Sequence, residues 1–363
     1  MLATIFADNL QESVYKILDR LLHDGQPVTV RGLKTYELHP CLIQIDNPKR
    51  RTLLYPKRGN NPFATLAETL WVLAGRRDID YLGKFLPRAK DFSDNGLDWR
   101  AGYGPRIRNW KGFNDKGEIV EVDQLEFVVK QIEKDKNTRQ AIMTIWDPAK
   151  ECIIGETRDF ACSNWIHFMV RNDVLDCCVV IRSNDLIFGM SAINVYEFTV
   201  MQEIIANCLN INVGRYFHMS DSMHVYENFN EFHGVEKSRD LLKSYIVLPE
   251  IPAFQFMNFG DDSLDNLSSM EILKSYLSGI ETLCAKLNGE IKCEFISHFE
   301  DLNIANILLS YYLKRNEINW DDVQKQIPYS DLKVSCDYWI RKNIFKEKDA
   351  GEKMIYESIE RCK

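Results

Sequence analysis

The order of apolar and polar positions predicts helices and short strands in the first part of the chain. Residues 10–23 repeat apolar positions at helical spacing and end at the helix-stop sequence HDGQP. Two short runs, PVTVRG and CLIQIDN, have the composition of strands. The segment NPFATLAETLWVLAGRR predicts a helix with Asn61 as its N-cap, Pro62 in its first position and Gly75 at its end.

The later segments extend this pattern and set the predicted fold class. VDQLEFVVKQIEKD predicts a helix and RQAIMTIWD a strand, while WIHFMV and VLDCCVVIRS flank the turn RND and predict a hairpin. The long, apolar NVYEFTVMQEIIANCL predicts a central buried helix. From about residue 262 the pattern is helical and rich in Lys and Glu. We therefore expect an α+β fold, a mixed sheet around a buried helix over 1–261, with a helical C-terminal extension of unknown role over 262–363.

Composition and charge narrow the class of protein. The chain has 363 residues, 45% apolar and 27% charged, which is enough for a sizeable core. A net charge of -8 is a poor match to a nucleic-acid partner, which requires a basic face. The 10 cysteines form no C-x-x-C pair and no zinc-type spacing, the first residues lack the basic region of a signal peptide, and no apolar run spans a bilayer. We expect a cytoplasmic protein with reduced thiols, no metal site and no membrane partner.

Three residues are candidates for chemistry because of where they lie in the pattern. Glu68 falls among the apolar residues of its predicted helix, where a carboxylate is costly to bury unless it is paired or functional. Arg182 and Ser183 follow a predicted strand and offer a guanidinium and a hydroxyl that suit a phosphate. Such an Arg-Ser pair is, on its own, more often a surface feature.

Four other residues are open to both a structural and a functional interpretation. Asn194 could be no more than the N-cap of its helix. His224 and Tyr226 lie on one face of a predicted strand and could be a packing pair. Cys162, in DFACSNW, could be a small buried hydrophobe or a nucleophile, and its neighbours in sequence do not decide between the two.

The order and spacing of these residues resemble the thymidylate synthase family. The succession runs from Arg31 through ETLW, GYGPRIRNW and NTRQAIMTIWDP to a cysteine, then RSNDLIFG and SDSMHVY. It looks closest to the branch that includes phage pyrimidine-nucleotide (dUMP or dCMP) hydroxymethylases, where an RSND run leads into a longer loop between Gly and Asn. The resemblance covers roughly residues 10–230 and is most specific over 138–226.

The resemblance implies a thymidylate synthase-like fold and a transferase that moves one carbon from 5,10-methylenetetrahydrofolate to C5 of a pyrimidine nucleoside monophosphate. Cys162 would be the nucleophile that adds to C6, and Arg182 would hold the phosphate and lower the thiol pKa. Glu68 would organise water and proton transfer around the base. Tyr103 and Asp185 would help in proton removal and folate placement.

The same resemblance assigns the rest of the nucleotide site. Arg31 and Ser183 would also bind the phosphate. Arg139 would reach the phosphate in the neighbouring subunit, because the family forms obligate homodimers with composite sites. His224 and Tyr226 would hold the sugar hydroxyl.

The chain departs from the synthase pattern in four places. Ser163 stands where synthases carry His, Gln140 stands where they carry a second Arg, one residue is inserted between Gly189 and Asn194, and the chain runs on where synthases end in a tail that closes over folate. Because altered closure favours entry of water, we expect a hydroxymethyl product. The alternatives are a divergent thymidylate synthase making dTMP and a catalytically silent nucleotide-binding homologue.

The predicted base rests on Asn194. An Asn amide can both donate and accept, which suits N3–H and O4 of uracil, whereas an acidic residue at this position accompanies cytosine in the family. We therefore expect dUMP as the substrate, with dCMP or CMP as the alternative.

Overall fold

The computed structural model describes residues 2–152, 155–157, 159–230, 233–258, 266–348 and 351–363. Over these ranges the chain has an α+β fold with mixed sheets, as predicted, and the C-terminal region is helical. The predicted boundary between residues 261 and 262 lies outside the described residues.

The described residues contain 14 strands and 13 α-helices. The strands are β1 (Ala3–Ala7), β2 (Gln26–Val30), β3 (Leu33–Leu38), β4 (Cys41–Ile45), β5 (Trp110–Phe113), β6 (Ile119–Val122), β7 (Ile142–Thr144), β8 (Ser163–Arg171), β9 (Val174–Ile181), β10 (Asn184–Asp185), β11 (Asn212–Ser220), β12 (Met223–Tyr226), β13 (Asn228–Asn230) and β14 (His233–Gly234). The helices are α1 (Leu10–Asp24), α2 (Pro62–Leu73), α3 (Ile79–Phe85), α4 (Tyr103–Arg108), α5 (Gln124–Lys134), α6 (Pro148–Glu151), α7 (Val195–Cys208), α8 (Val235–Lys243), α9 (Ser269–Asn288), α10 (Glu300–Leu313), α11 (Trp320–Val323), α12 (Asp331–Asn343) and α13 (Glu352–Cys362). Short 3-10 turns occupy Pro87–Phe92 and Gln324–Gln326, and a π-helical segment, Leu186–Asn194, leads directly into α7.

A six-stranded mixed sheet has the order β1-β4-β11-β9-β8-β7. β1 pairs with β4 in parallel and β11 with β9 in parallel, while the other neighbours are antiparallel. β8 and β9 form the predicted hairpin, and its turn residues Asn172 and Asp173 have φ of 51° and 61°. Asn and Asp tolerate this left-handed conformation better than most residues, which explains their place in the turn.

A second sheet has the order β10-β12-β3-β2, and its strand β10 begins shortly after β9 of the larger sheet ends. β10 follows β9 after Arg182 and Ser183 and pairs in parallel with β12, so that Asp185 lies opposite His224. β12 in turn pairs with β3, which a tight turn at Arg31 connects to β2. This small sheet therefore brings segments about 150 residues apart in sequence to one place.

Two helices form the centre of the core. α2 begins as predicted, since the Asn61 side chain accepts hydrogen bonds from the N–H groups of Phe63 and Ala64, and the chain leaves the helix through Gly75 at φ 70°. α7 is buried along nearly its whole length and packs against β9 and β11. It is the predicted central helix.

α9, α10 and α12 pack against α2 and share the hydrophobic core of the sheet, whereas the apolar residues of α13 form a second, smaller core with Leu54 and with Val334 and Tyr338 of α12. The ring of Phe63 on α2 lies 5.1 Å from that of Tyr312 on α10 and 5.5 Å from that of Trp339 on α12. α9 contacts both α2 and α7. No helix within the described ranges is long and apolar enough to cross a membrane.

Candidate active site

Cys162 and Arg182 extend two paired strands and lie side by side. Ser163, the first residue of β8, is opposite Ile181, the last residue of β9, so the residues just outside the pair are neighbours. The Arg182 N–H donates to the Cys162 carbonyl at 3.0 Å, and its Nε donates to the Ala161 carbonyl at 2.9 Å. These bonds hold Nη2 of Arg182 at 3.8 Å from Sγ of Cys162.

The electrostatic environment of the Cys162 thiol has two opposing parts. Burial raises the pKa of Cys162 above its ordinary value, and the positive charges of Arg182 and Arg31 lower it. Burial has the larger effect, so the lowered thiol pKa expected from the sequence is not found in the chain alone. The predicted arginine is nevertheless in contact with the sulfur and favours the thiolate.

The small sheet supplies the polar residues around this cysteine. Arg31 is exposed in the turn between β2 and β3, with φ of 49°, and its charge acts on both Cys162 and Tyr226. Ser183 is half-buried directly after Arg182. The rings of His224 and Tyr226 meet edge-to-face at 5.4 Å. Together with Cys162 and Arg182, these four residues make six predicted nucleotide-binding and catalytic residues in one region.

A second group, of acidic and phenolic side chains, lies on α2, α4 and α7. Burial raises the pKa of Glu68 to about 8. Glu197, on α7, is 1% exposed, and its pKa is raised well above the ordinary value by burial and by the nearby charge of Glu68. The Tyr103 hydroxyl accepts a hydrogen bond from the Ser163 N–H at 3.2 Å, which joins this group to the residue next to Cys162. The arrangement offers protonated carboxyl groups and a phenol for proton transfer.

Asp185 caps the π-helical segment that begins beside it. One carboxylate oxygen accepts hydrogen bonds from the N–H groups of Ile187 at 2.7 Å and Phe188 at 3.3 Å. Burial raises the pKa of Asp185, while His224, these N–H groups and Arg58 oppose the rise. A capping role of this residue was not predicted from the sequence.

Asn194 is not a conventional helix N-cap. Its backbone is already helical, and its side chain makes no capping hydrogen bond to α7. Instead, its amide oxygen accepts a hydrogen bond from Nδ2 of Asn184 at 2.8 Å. The structural alternative considered for this residue is therefore wrong, because the π-helical segment runs straight into α7 and leaves no free helix start at Asn194.

Arg139 lies apart from the other predicted residues. It is exposed just before β7, and its backbone carbonyl faces the ring of His167 on β8. His167 is five residues beyond Cys162 along extended chain, about 17 Å at the usual rise per residue. A single chain therefore does not place Arg139 at its own Cys162.

Sequence reasoning missed three residues next to the predicted ones. Glu197 is a carboxylate inside an apolar helix, the same signal that singled out Glu68. Asn184 lies within the RSND run, where no sequence pattern gives this Asn a role of its own. His218, buried on β11, contacts Asn184 across 34 positions of sequence, and no local pattern marks it.

Comparison with known proteins identifies the family to which this site belongs. The family model described as thymidylate synthase matches residues 13–268. The chain belongs to the thymidylate synthase family. Its match contains every predicted site residue, from Arg31 to Tyr226. The helices from α9 onward lie beyond the matched residues.

Individual members of the thymidylate synthase family show how the similarity is distributed. The chain is 36% identical over 230 residues to a deoxyuridylate hydroxymethyltransferase of Bacillus phage SP01, covering 63% of this chain and 59% of that protein. It is 32% identical over 229 residues to a deoxyuridylate hydroxymethyltransferase of Delftia phage PhiW-14, covering 60% of this chain and 61% of that protein. A thymidylate synthase of Vesicomyosocius okutanii is 28% identical over 201 residues, covering 54% of this chain and 72% of that protein. The match thus spans about three fifths of the length of the two hydroxymethyltransferases.

Proposed function

We propose that this chain catalyses the folate-dependent 5-hydroxymethylation of dUMP. The observation that carries the proposal is the 3.8 Å contact between the Cys162 sulfur and the Arg182 guanidinium, surrounded by the phosphate- and sugar-binding residues of the small sheet. In the reaction, dUMP, 5,10-methylenetetrahydrofolate and water give 5-hydroxymethyl-dUMP and tetrahydrofolate. The folate is not oxidised, because water and not hydride completes the new group.

Cys162 acts as the covalent nucleophile. C5 of uracil is a poor nucleophile, and addition of a thiolate at C6 converts C5 into an enolate carbon that can attack an electrophilic carbon. A bond forms between Sγ and C6, and the thiol proton is lost. Arg182 favours the thiolate at this step through its charge, and the same guanidinium suits a phosphate dianion.

The acidic group on α2 and α7 handles the protons and the water. Burial raises the pKa of Tyr103, so its phenol stays protonated, and the hydroxyl, beside Ser163, is placed to hold the water that takes the proton from C5. Burial raises the pKa of Glu68 to about 8 and that of Glu197 well above its ordinary value, so both carboxyl groups hold their protons at neutral pH and can donate them. Tetrahydrofolate leaves as the C5 proton is lost, and we propose that Glu68 and Glu197 orient the water that then adds to the exocyclic methylene left at C5. Departure of the Cys162 sulfur from C6 then restores the aromatic base.

The residues near Asp185 fit a folate. When bound, 5,10-methylenetetrahydrofolate supplies a one-carbon unit at the oxidation level of formaldehyde. A pterin ring presents N–H donors along one edge, and Asp185 uses only one carboxylate oxygen for the backbone groups of Ile187 and Phe188. The other oxygen can accept from a pterin N–H. Phe188 is 42% exposed next to it and offers an apolar ring surface.

The relatives favour a hydroxymethyl product over a methyl product. The proteins with 32% to 36% identity are named deoxyuridylate hydroxymethyltransferases, whereas two named thymidylate synthases are 28% and 25% identical. Glu197 adds a second buried carboxylate next to Glu68, in a site whose proposed chemistry requires an ordered water. A divergent synthase that makes dTMP is the alternative within the family.

One experiment separates these outcomes. Purified protein is incubated with 5,10-methylenetetrahydrofolate and, in turn, dUMP, dCMP and CMP, and both nucleotide and folate products are identified by mass spectrometry. We expect 5-hydroxymethyl-dUMP together with tetrahydrofolate. Formation of dTMP with dihydrofolate would establish the synthase, and no product from any nucleotide would establish the silent homologue. Cys162→Ser is the negative control.

The open face of the large sheet supports a homodimer. α7 covers one face of β9 and β11, while the side chains on the opposite face are half-exposed in the single chain. The strand register aligns these residues into rows: Trp165, Val180 and Met219 form one row, and His167, Cys178 and Phe217 form the next. A mostly apolar sheet face of this kind is best buried against a second copy.

The place of Arg139 agrees with such a dimer. It lies at the β7 edge of the same sheet, away from its own Cys162, and it is exposed. We propose that two chains pack through their sheets and that each Arg139 binds the phosphate in the partner's site. Nucleotide binding would then require both subunits.

A further inference from the structure

A chain of hydrogen bonds inside the protein leads to the amide of Asn194. The Tyr216 hydroxyl and Nδ1 of His218 are 2.9 Å apart, and Nε2 of His218 is 2.8 Å from Oδ1 of Asn184. Nδ2 of Asn184 is 2.8 Å from Oδ1 of Asn194. The chain starts on β11, crosses to the first residue of β10 and ends where the π-helical segment meets α7.

The burial of Tyr216 and His218 determines the direction of these hydrogen bonds, that is, which group donates in each of them. Tyr216 and His218 are fully buried, and burial lowers the pKa of His218 to about 3, so its ring is neutral at ordinary pH and has one donor and one acceptor. Within the described residues, the Tyr216 hydroxyl has no acceptor other than His218, and a buried hydroxyl without an acceptor is costly. Tyr216 therefore donates to Nδ1, and Nε2–H donates to Asn184.

The orientation of both amides follows from that direction. Because the Asn184 oxygen accepts from His218, its NH2 group must point towards Asn194, and the Asn194 oxygen must face it. Reversing the two amides would place the hydroxyl of Tyr216 without an acceptor. The NH2 group of Asn194 is thus the end that is turned away from Asn184.

Gly189 leaves the space in which the two amides meet. A Cβ atom at this position would lie 2.7 Å from Nδ2 of Asn184 and 3.2 Å from Oδ1 of Asn194. Both distances are shorter than ordinary van der Waals contact. A side chain at residue 189 would therefore push the amides apart, so Gly189, within the π-helical segment, leaves room for the hydrogen bond between Asn184 and Asn194.

We propose that Asn184, oriented by His218 and Tyr216, is a specificity-determining positioning residue that locks the Asn194 amide in the orientation that selects a uracil nucleotide over a cytosine nucleotide. This inference rests on the proposed function, in which Asn194 contacts the base. The NH2 group of Asn194 matches the acceptor O4 of uracil and opposes the amino group at the same position of cytosine. An amide free to rotate could serve either base, so the lock creates the discrimination.

Asn184→Asp tests the lock with little change of shape. A carboxylate at 184 can still accept from His218, but it has no donor for the Asn194 oxygen and favours the reversed Asn194 amide. We expect the ratio of the dissociation constants for dUMP and dCMP, measured by calorimetry without folate, to move towards dCMP by roughly tenfold to a hundredfold. Tyr216→Phe removes the donor that sets the direction, and we expect it to move the ratio towards equality without reversing it.

Controls distinguish failure of this inference from failure of the proposed function. Asn212→Asp, at the exposed start of β11, makes the same chemical change away from the site and is expected to leave the ratio as in the wild type. Circular dichroism and thermal melting verify that each variant is folded. If the wild type prefers dUMP and Asn184→Asp keeps the same ratio, the lock is refuted and the proposed function stands. If the wild type binds neither nucleotide, both are refuted.

Discussion

Nη2 of Arg182 lies 3.8 Å from Sγ of Cys162, at the matched ends of two neighbouring antiparallel strands. The pairing of β8 with β9 fixes this distance through the backbone, since Arg182 also bonds the carbonyl groups of Ala161 and Cys162. The guanidinium is therefore beside the sulfur before any ligand arrives, which reduces the cost of positioning it during reaction.

Replacement of Cys162 by Ser should abolish turnover. A serine hydroxyl is a much weaker nucleophile at neutral pH, and we expect kcat to fall by at least about a thousandfold while dUMP binding is retained. A 5-fluoro analogue of dUMP with folate should form a covalent adduct with the wild type only, detected by mass spectrometry. Cys293→Ser, between α9 and α10, is the matched control. An adduct at Cys178 or at any cysteine other than Cys162 would disprove the assignment.

Removal of the Arg182 charge should raise the thiol pKa further. Burial raises the pKa of Cys162, and the positive charge of Arg182 is the largest effect that lowers it. Arg182→Gln removes that charge and keeps the burial. We expect the pH midpoint for alkylation of Cys162, followed by peptide mass spectrometry, to shift to higher pH than in the wild type. Arg171→Gln, on the far end of β8, should leave it in place. A midpoint that moves down would contradict this role of Arg182.

The buried Glu68 should make stability depend on pH. Its pKa is about 8 in the folded chain against an ordinary value of 4.5, so the folded state binds the proton more tightly. The contribution of Glu68 to the free energy of unfolding is fully present below about pH 4.5 and is lost as the pH rises towards about 8. Urea denaturation across this window should show a loss on the order of a few kcal/mol in the wild type and a smaller loss in Glu68→Gln. Equal slopes for the two proteins would show that Glu68 is not protonated in the folded state.

Mixed dimers test the composite site. We expect Arg139→Ala and Cys162→Ser to be inactive separately. In a random mixture half of the dimers are hybrids, and each hybrid has one site with both residues intact, so activity should return to about a quarter of the wild-type value. Arg139→Ala mixed with itself is the control. Full activity of a monomer, or of Arg139→Ala alone, would exclude a shared site.

Asn194→Asp tests the predicted base preference directly. The change removes the NH2 group that faces uracil O4 and leaves a carboxylate next to it. A mismatched buried polar pair costs roughly 1–3 kcal/mol, so we expect the ratio of kcat/KM to shift towards dCMP by about tenfold to a hundredfold. Both nucleotides have to be measured on both proteins. A wild type that already prefers dCMP would show that Asn194 does not select uracil.

The sequence predicted the elements with strong local signals. α2 was predicted together with its cap at Asn61, and the β8–β9 hairpin with its turn, because caps, turn residues and periodicity lie within a few residues of one another. β1 and β3 were not predicted. Each is short, and β1 pairs in parallel with β4, about 38 residues away, so its partner cannot be read from its own pattern.

The sequence predicted residues of the candidate site but not the hydrogen bonds between them. The resemblance named Cys162, Arg182 and Asn194, and the structure brings the first two into contact. The hydrogen bond from Asn184 to Asn194 depends on a π-helical segment. The sequence pattern did not predict that this segment would be a π-helix. The thiol pKa depends on how deeply Cys162 is buried, which is a property of the whole fold.

α9, α10 and α12 pack against α2, where the ring of Phe63 meets those of Tyr312 on α10 and Trp339 on α12. Since α2 also carries Glu68, these three helices support the backbone of a residue that we propose to be catalytic. A chain without these helices would expose apolar side chains of α2 to water and would no longer hold the Glu68 carboxyl group rigidly. We therefore expect α9, α10, α12 and the site to unfold as one cooperative unit, and removal of these helices to abolish the proposed reaction.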